Sequence, residues 1–226
     1  MARALLTLVV VFASALSGVP GSYWQEAEAA SARGQAYAPT RSSILIEELD
    51  AEGRAVSREE GETSTSWAAD GTQQVTVLWA SKNGKDVSDD WQKRYSKAGS
   101  ASGPPPEYDA HPFDAAYAAT RSLKAGASAA DGSLNVSYLL ETEQGPVSGV
   151  VTFGPDGRAR AASQVWEKLP PMVKRMESRF EYDYVGDALV TSRTTLNVEA
   201  TILFVKKRYR MSFGFSGWKP APSNGS

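Results

Sequence analysis

The chain is 226 residues long, with 24 Lys+Arg against 26 Asp+Glu, one His and no Cys. That inventory excludes disulfides, thiolate nucleophiles and sulfur-based metal centres, and a net charge of −2 argues against a protein built to bind nucleic acid. With 42% hydrophobic residues the length supports one sizeable core, and the balance favours a protein that binds over one that performs chemistry.

Arg3 precedes an apolar run from Ala4 to Leu16, which Ser17, Gly18, Pro20 and Gly21 then break. A membrane span needs about 20 apolar residues, so the run reads as a secretory signal over residues 1–22. Cleavage fits after Ser17, Gly21 or Ala29, with the first two preferred and an uncleaved anchor as the lesser alternative. The expectation is an exported domain over 23–226 with no transmembrane segment. Trp24 to Ala36 is Ala- and Glu-rich and predicts a short opening helix limited by Gly34 and Pro39.

Turn signals then recur at Glu52-Gly53, Asp70-Gly71, Asn83-Gly84, Asp131-Gly132, Asp156-Gly157 and Gly186-Asp187. Between them Ile44–Ile46, Val75–Trp79, Leu134–Leu140 and Val147–Phe153 have strand composition. Asn-Gly and Asp-Gly suit tight hairpins, so consecutive strands are expected to pair antiparallel. Ser88 is placed to cap a helix with Asp89 and Asp90 early, Lys93, Arg94 and Lys97 late, and Trp91 and Tyr95 on one face. A second helix is predicted from Pro112 through Phe113, Tyr117 and Leu123 to Gly126. It lies between loose segments at Lys97–Pro106 and Lys124–Ser133, so residues 97–133 read as a loop-helix-loop cover. Farther on, Phe180, Tyr182 and Tyr184 alternate with acids, and Tyr209, Met211, Phe213 and Phe215 alternate with Arg, Ser and Gly. That period of two predicts antiparallel strands with one wet face, Val198–Val205 partnering the last of them.

Catalytic signals are weak. His111 has no second His or Cys to share a metal, and reads as a loop or capping residue. Asp86, Asp89 and Asp90 lack the ligand spacing of a calcium loop, and Glu141 and Glu143 read as solvated strand residues. Neither a nucleophile elbow nor a phosphate-binding glycine motif is present. No catalytic residue, metal site or cofactor is therefore assigned. Lys206, Lys207, Arg208 and Arg210 form the strongest charge cluster, a candidate for docking an anionic head group or acidic partner; a solvated hairpin tip is the modestly preferred alternative. Trp24, Trp67, Trp79, Trp91, Trp166 and Trp218, with Tyr and Phe on candidate strands, supply either an apolar cavity or an ordinary packed core.

An ordered series in the C-terminal part carries a resemblance. It comprises the hairpin Val147–Ala161, Trp166–Lys174 (WEKLPPMVK), the strand Arg179–Tyr184 (RFEYDY), and the closing pair Ala200–Val205 and Tyr209–Phe213. Residues 134–218 so resemble the LolA-like outer-membrane lipoprotein-sorting proteins. The resemblance implies a β-rich α+β fold: a curved antiparallel sheet forming an incomplete half-barrel, with a few covering helices. It implies a periplasmic, non-enzymatic carrier or sensor that binds a lipid or lipid-modified partner in an apolar cavity. Trp166, Tyr182, Phe204, Met211 and Phe213 are then wall candidates, with Phe113 and Tyr117 on the cover. The alternative is a partner-binding envelope protein with a filled β core and no lipid cargo.

Overall fold

The computed structural model describes residues 18–68, 72–98, 110–202 and 204–222. The apolar run of the expected signal, the Asp70-Gly71 turn and most of the loose segment before Pro112 lie outside the described residues. From Gly18 to Gly34 the chain forms helix α1, longer at its start than composition predicts and ending at the expected glycine. Strands follow as β1 (Tyr37–Ala38), β2 (Arg41–Leu49), β3 (Ala55–Trp67), β4 (Gln73–Lys82) and β5 (Lys85–Asp86), then helix α2 (Ser88–Ala98). A 3-10 turn spans Ala115–Tyr117. The remaining strands are β6 (Ser122–Ser128), β7 (Leu134–Thr142), β8 (Gly145–Phe153), β9 (Ala159–Trp166), β10 (Val173–Val185), β11 (Ala188–Ile202), β12 (Val205–Ser216) and β13 (Lys219–Pro220).

Eleven strands form one sheet in the order β5-β4-β3-β2-β12-β11-β10-β9-β8-β7-β6, while β1 pairs with β13 apart from it. Each pairing is antiparallel, and the sheet stays open, with β5 and β6 at its edges. The break in simple hairpin order is β12 beside β2, which brings the last long strand back to the first (Phe213 opposite Ile44, Met211 opposite Ile46). The β4–β5 turn matches its sequence signal: Asn83 and Gly84 have φ of 50° and 79°, the left-handed pair that a two-residue hairpin requires.

Antiparallel partners point to the same side, so the register sorts the side chains into two faces. One face carries Val136, Tyr138, Leu140, Val147, Val151, Ala162, Gln164, Trp166, Met176 and Phe180, all buried. The other carries Glu and Arg in cross-strand pairs such as Arg210 with Glu47 and Arg208 with Glu199. α1 lies on the first face, and Trp24, 2% exposed, packs 5.0 Å from Phe113, 5.7 Å from Tyr138 and 6.3 Å from Phe153, centroid to centroid.

The predicted helix from Pro112 to Gly126 is corrected. It shrinks to the 3-10 turn at Ala115–Tyr117, started by Asp114, whose carboxylate accepts from the Ala116 N–H. Leu123 to Gly126 instead join edge strand β6, Leu123 lying opposite Tyr138. Pairing to β7 supplies backbone hydrogen bonds that a Gly-containing helix of small residues does not hold on its own. β3 carries no strand signal in its sequence, because its face-lining residues Glu59, Gly61 and Thr63 are polar or small.

Candidate functional site

The covered face divides into three regions. Under α1 and residues 110–113 it is filled. Phe113, Trp166, Phe180, Tyr182 and Phe153 are buried in one cluster with Trp24, Ala27 and Ala30 of α1. Gln164, 1% exposed, ties cover to sheet: its side-chain N–H donates to the Ala110 carbonyl at 2.6 Å and its carbonyl oxygen accepts from Tyr138 OH at 2.8 Å. Gly149 makes this possible, because a Cβ there would stand 2.4 Å from the Tyr138 ring. Arg121, its side chain 4% exposed, pairs with Glu28, donates to the Asp114 carbonyl at 2.6 Å and lies 5.4 Å over the Trp24 ring. Burial depresses its pKa, and the Glu28 carboxylate offsets the uncompensated charge.

Beside this core a cavity of about 750 Å³ opens between α1, residues 111–118 and the start of β11. Glu28, Tyr37, His111, Asp114, Thr191 and Trp218 contribute to a mixed polar and aromatic lining. In its wall, His111 Nε2 and Tyr182 OH are buried atoms without a hydrogen-bond partner among the described residues. The Phe113 N–H donates to His111 Nδ1 at 3.4 Å, which assigns the ring proton to Nε2. Desolvation outweighs the nearby Asp114 and lowers the His111 pKa to about 4, while burial raises that of Tyr182. Both groups are neutral at pH 7.

The third region is an apolar groove of about 260 Å³ beside α2, lined by Ile44, Ile46, Phe213, Trp91, Tyr95, Glu59 and Arg94. Its floor continues across the strands: Ile44 and Ile46 lie opposite Phe213 and Met211, and Met211 opposite Leu196. These side chains are partly exposed. The wall is held by Trp91, 4% exposed, whose indole N–H donates to Glu59 at 2.7 Å. Gly61 gives its ring room, since a Cβ there would sit 2.7 Å from it. Burial opposes the Glu59 charge, but hydrogen bonds from Trp91 and Lys82 and the charges of Lys82 and Arg94 hold its pKa below the usual range. The Glu59 carboxylate pairs with Arg94 at 3.1 Å and with Lys82 at 3.2 Å, so the rim of an apolar floor is fixed by ion pairs.

The candidates named from sequence therefore separate. Trp166, Tyr182 and Phe113 meet in the filled core, with Tyr117 packed at its margin. Met211 and Phe213 lie on the same face but at the open groove. Phe204 lines neither region; it stands fully exposed in the β11–β12 turn, because the strand alternation ends at Ile202. Lys207, Arg208 and Arg210 are matched with Glu48, Glu199 and Glu47, which removes most of the docking charge, while Lys206 is exposed. Sequence reading missed Glu59 and Gln92. Glu59 at i−2 from Gly61 is a signal only once Trp91 is known to land there.

No family model matches the chain, and no curated protein matches it. The LolA-like resemblance thus rests on residue patterns alone. Among solved structures, the crystal structure of MucB in complex with MucA(peri) is similar over 90% of this chain and 99% of that one, at 8% identity and a TM-score of 0.24. A likeness at that level carries no argument about this chain. Among the described residues no helix is long and apolar enough to cross a membrane.

Proposed function

We propose that the chain is a non-enzymatic, exported binding protein that holds a protein partner in the groove between β2, β12 and α2. The observation that supports this is the contrast across one sheet face: filled by the chain's own aromatic residues under α1, yet apolar and partly exposed at Ile44, Ile46, Met211 and Phe213. The groove's 260 Å³ falls below the roughly 300–1,000 Å³ that encloses a small ligand, and suits one or two apolar side chains of a partner. Glu59, Arg94 and Lys82 at the rim give such a partner a polar frame. At this groove, the size favours a partner's side chains over an enclosed lipid chain.

Pull-down from envelope extract, read together with native mass spectrometry, tests the reading. Phe213→Asp is expected to lower partner capture at least tenfold, whereas Arg208→Glu with Arg210→Glu leaves it nearly intact. The mass spectrum is expected to show a protein subunit. A stoichiometric co-purifying lipid, or capture indifferent to Phe213→Asp, would overturn the proposal.

A further inference from the structure

The cavity of about 750 Å³ beside the core has the size that encloses a small molecule, within the roughly 300–1,000 Å³ of such sites. Its walls are fixed by specific contacts. At the end of α1 the backbone approaches β11 so closely that a Cβ on Gly34 would stand 2.0 Å from the Leu189 carbonyl oxygen. Arg33 holds that approach, pairing with the Asp187 carboxylate at 2.8 Å and donating to the Asp187 carbonyl at 3.0 Å. Another part of the rim comes from the pairing of β1 with β13, where Tyr37 lies opposite Pro220 and the Ala221 N–H donates to the Ala36 carbonyl at 2.8 Å. The Thr40 hydroxyl donates to the Gly217 carbonyl at 2.7 Å and fixes the turn that brings Trp218 to the cavity beside Tyr37.

The chemistry of the lining selects among ligands. Among the described residues, Glu28 and Asp114 are the charged side chains that line the cavity, and no lysine or arginine does. Arg121 matches Glu28, and Arg33 matches Asp187 just outside, so those charges cancel. Asp114 is exposed and makes no ion pair among the described residues; its carboxylate accepts from the Ala116 N–H at 2.9 Å. One negative charge is thus left in excess beside the rings of Tyr37, Phe113, Tyr182 and Trp218, whose faces attract cations. Two donors complete the set. His111 Nε2–H and the hydroxyl of Tyr182, a residue 8% exposed, are buried in the wall with no acceptor among the described residues. An apolar ligand would leave the charge and both donors unanswered, and an anion would meet the Asp114 carboxylate. We infer that this cavity binds a small organic cation that also carries an oxygen acceptor, of the hydroxyalkylammonium class. Asp114 and the aromatic rings take the cationic end, and the oxygen accepts from His111 or Tyr182. The inference is independent of the groove beside α2, which shares no lining residue with this cavity.

Because His111 is the single histidine, ring-labelled histidine in protein prepared without a polyhistidine tag gives one nuclear magnetic resonance signal at the cavity wall. Titration at pH 7 with choline and with ethanolamine is expected to move that signal saturably for at least one of them, with one-to-one stoichiometry by calorimetry. The uncharged choline isostere 3,3-dimethylbutan-1-ol is expected to bind at least tenfold more weakly, and acetate to leave the signal in place. Asp114→Asn keeps an acceptor for the Ala116 N–H while removing the charge, and is expected to weaken cation binding about tenfold without changing the response to the isostere. Trp218→Leu is expected to weaken it about threefold or more. Phe213→Asp, in the groove, is expected to leave it unchanged, so this inference and the proposed protein-binding role fail separately. The inference is overturned if neither cation moves the His111 signal, if the isostere or acetate binds as well as the cations, or if folded Asp114→Asn binds them with native affinity. The comparison of cation with isostere uses the native protein and decides even where a variant fails to fold.

Discussion

His111 shows how one buried ring links stability to pH. Its ring lies 5.2 Å from Phe180 and 5.5 Å from Tyr182, and burial sets its pKa at about 4. In the unfolded chain the same group titrates near 6.5. Between those values the unfolded state holds the additional proton, so this stability is intact above pH 6.5 and is lost as pH falls towards 4. The full interval corresponds to about 3 kcal/mol, reduced somewhat because the ring is partly exposed at the cavity. Chemical unfolding at pH 7 and pH 4.5 should show the native protein losing about 2 kcal/mol more than His111→Phe. Equal losses would mean that the ring is solvated. Trp24 is the corresponding residue for packing: Trp24→Ala removes the indole between Phe113, Tyr138 and Phe153 and is expected to cost about 3–5 kcal/mol by thermal or denaturant unfolding. That burial also bears on processing. Cleavage after Ser17 or Gly21 keeps Trp24, whereas cleavage after Ala29 discards it, so N-terminal sequencing of processed protein is expected to find a start upstream of Tyr23. None of these burials was legible in sequence, since a lone histidine beside proline looks the same on a loop as under a helix.

At the scale of elements, α2 does more than wall the groove. The Gln92 side chain accepts from the Val77 N–H at 2.8 Å and donates to the Val75 carbonyl at 3.2 Å, and Ser88 Oγ accepts from the Ala80 N–H at 2.8 Å. The helix thus satisfies the backbone of β4 as a further strand would, and blunts that edge against pairing with other chains. Ser88 was expected to cap α2; its hydroxyl serves β4 and Asp86 instead. Gln92→Leu is expected to speed amide exchange at Val77 at least tenfold, consistent with about 1–3 kcal/mol for leaving such groups unpaired. Unchanged exchange would show that the edge does not depend on Gln92. Strands with strict alternation, β10 and β12, were legible because both faces have one consistent character. β3 and β6 were not. In β3 the inward positions are small or charged to receive Trp91 from α2, and in β6 Ala and Gly fill an edge that carries little side-chain packing. Those signals sit in the partners, not in the strands themselves.

Across the whole molecule, antiparallel order and a wet open face followed from hairpin signals and alternation, while the return of β12 to β2 did not. That return depends on pairing between residues about 170 positions apart, which local periodicity does not encode. It is also what creates the groove, by setting Phe213 against Ile44 and Met211 against Ile46. The division of one face into a filled half and an open strip is the basis of the proposed binding role. A photo-activatable phenylalanine analogue at Ile46, compared with one at Val150 on the open face, tests that role most directly in intact cells. Crosslinking of a single protein from position 46 and not from position 150, abolished by Phe213→Asp, is the predicted result. Lipid adducts at position 46, or equal protein adducts from both positions, would contradict it.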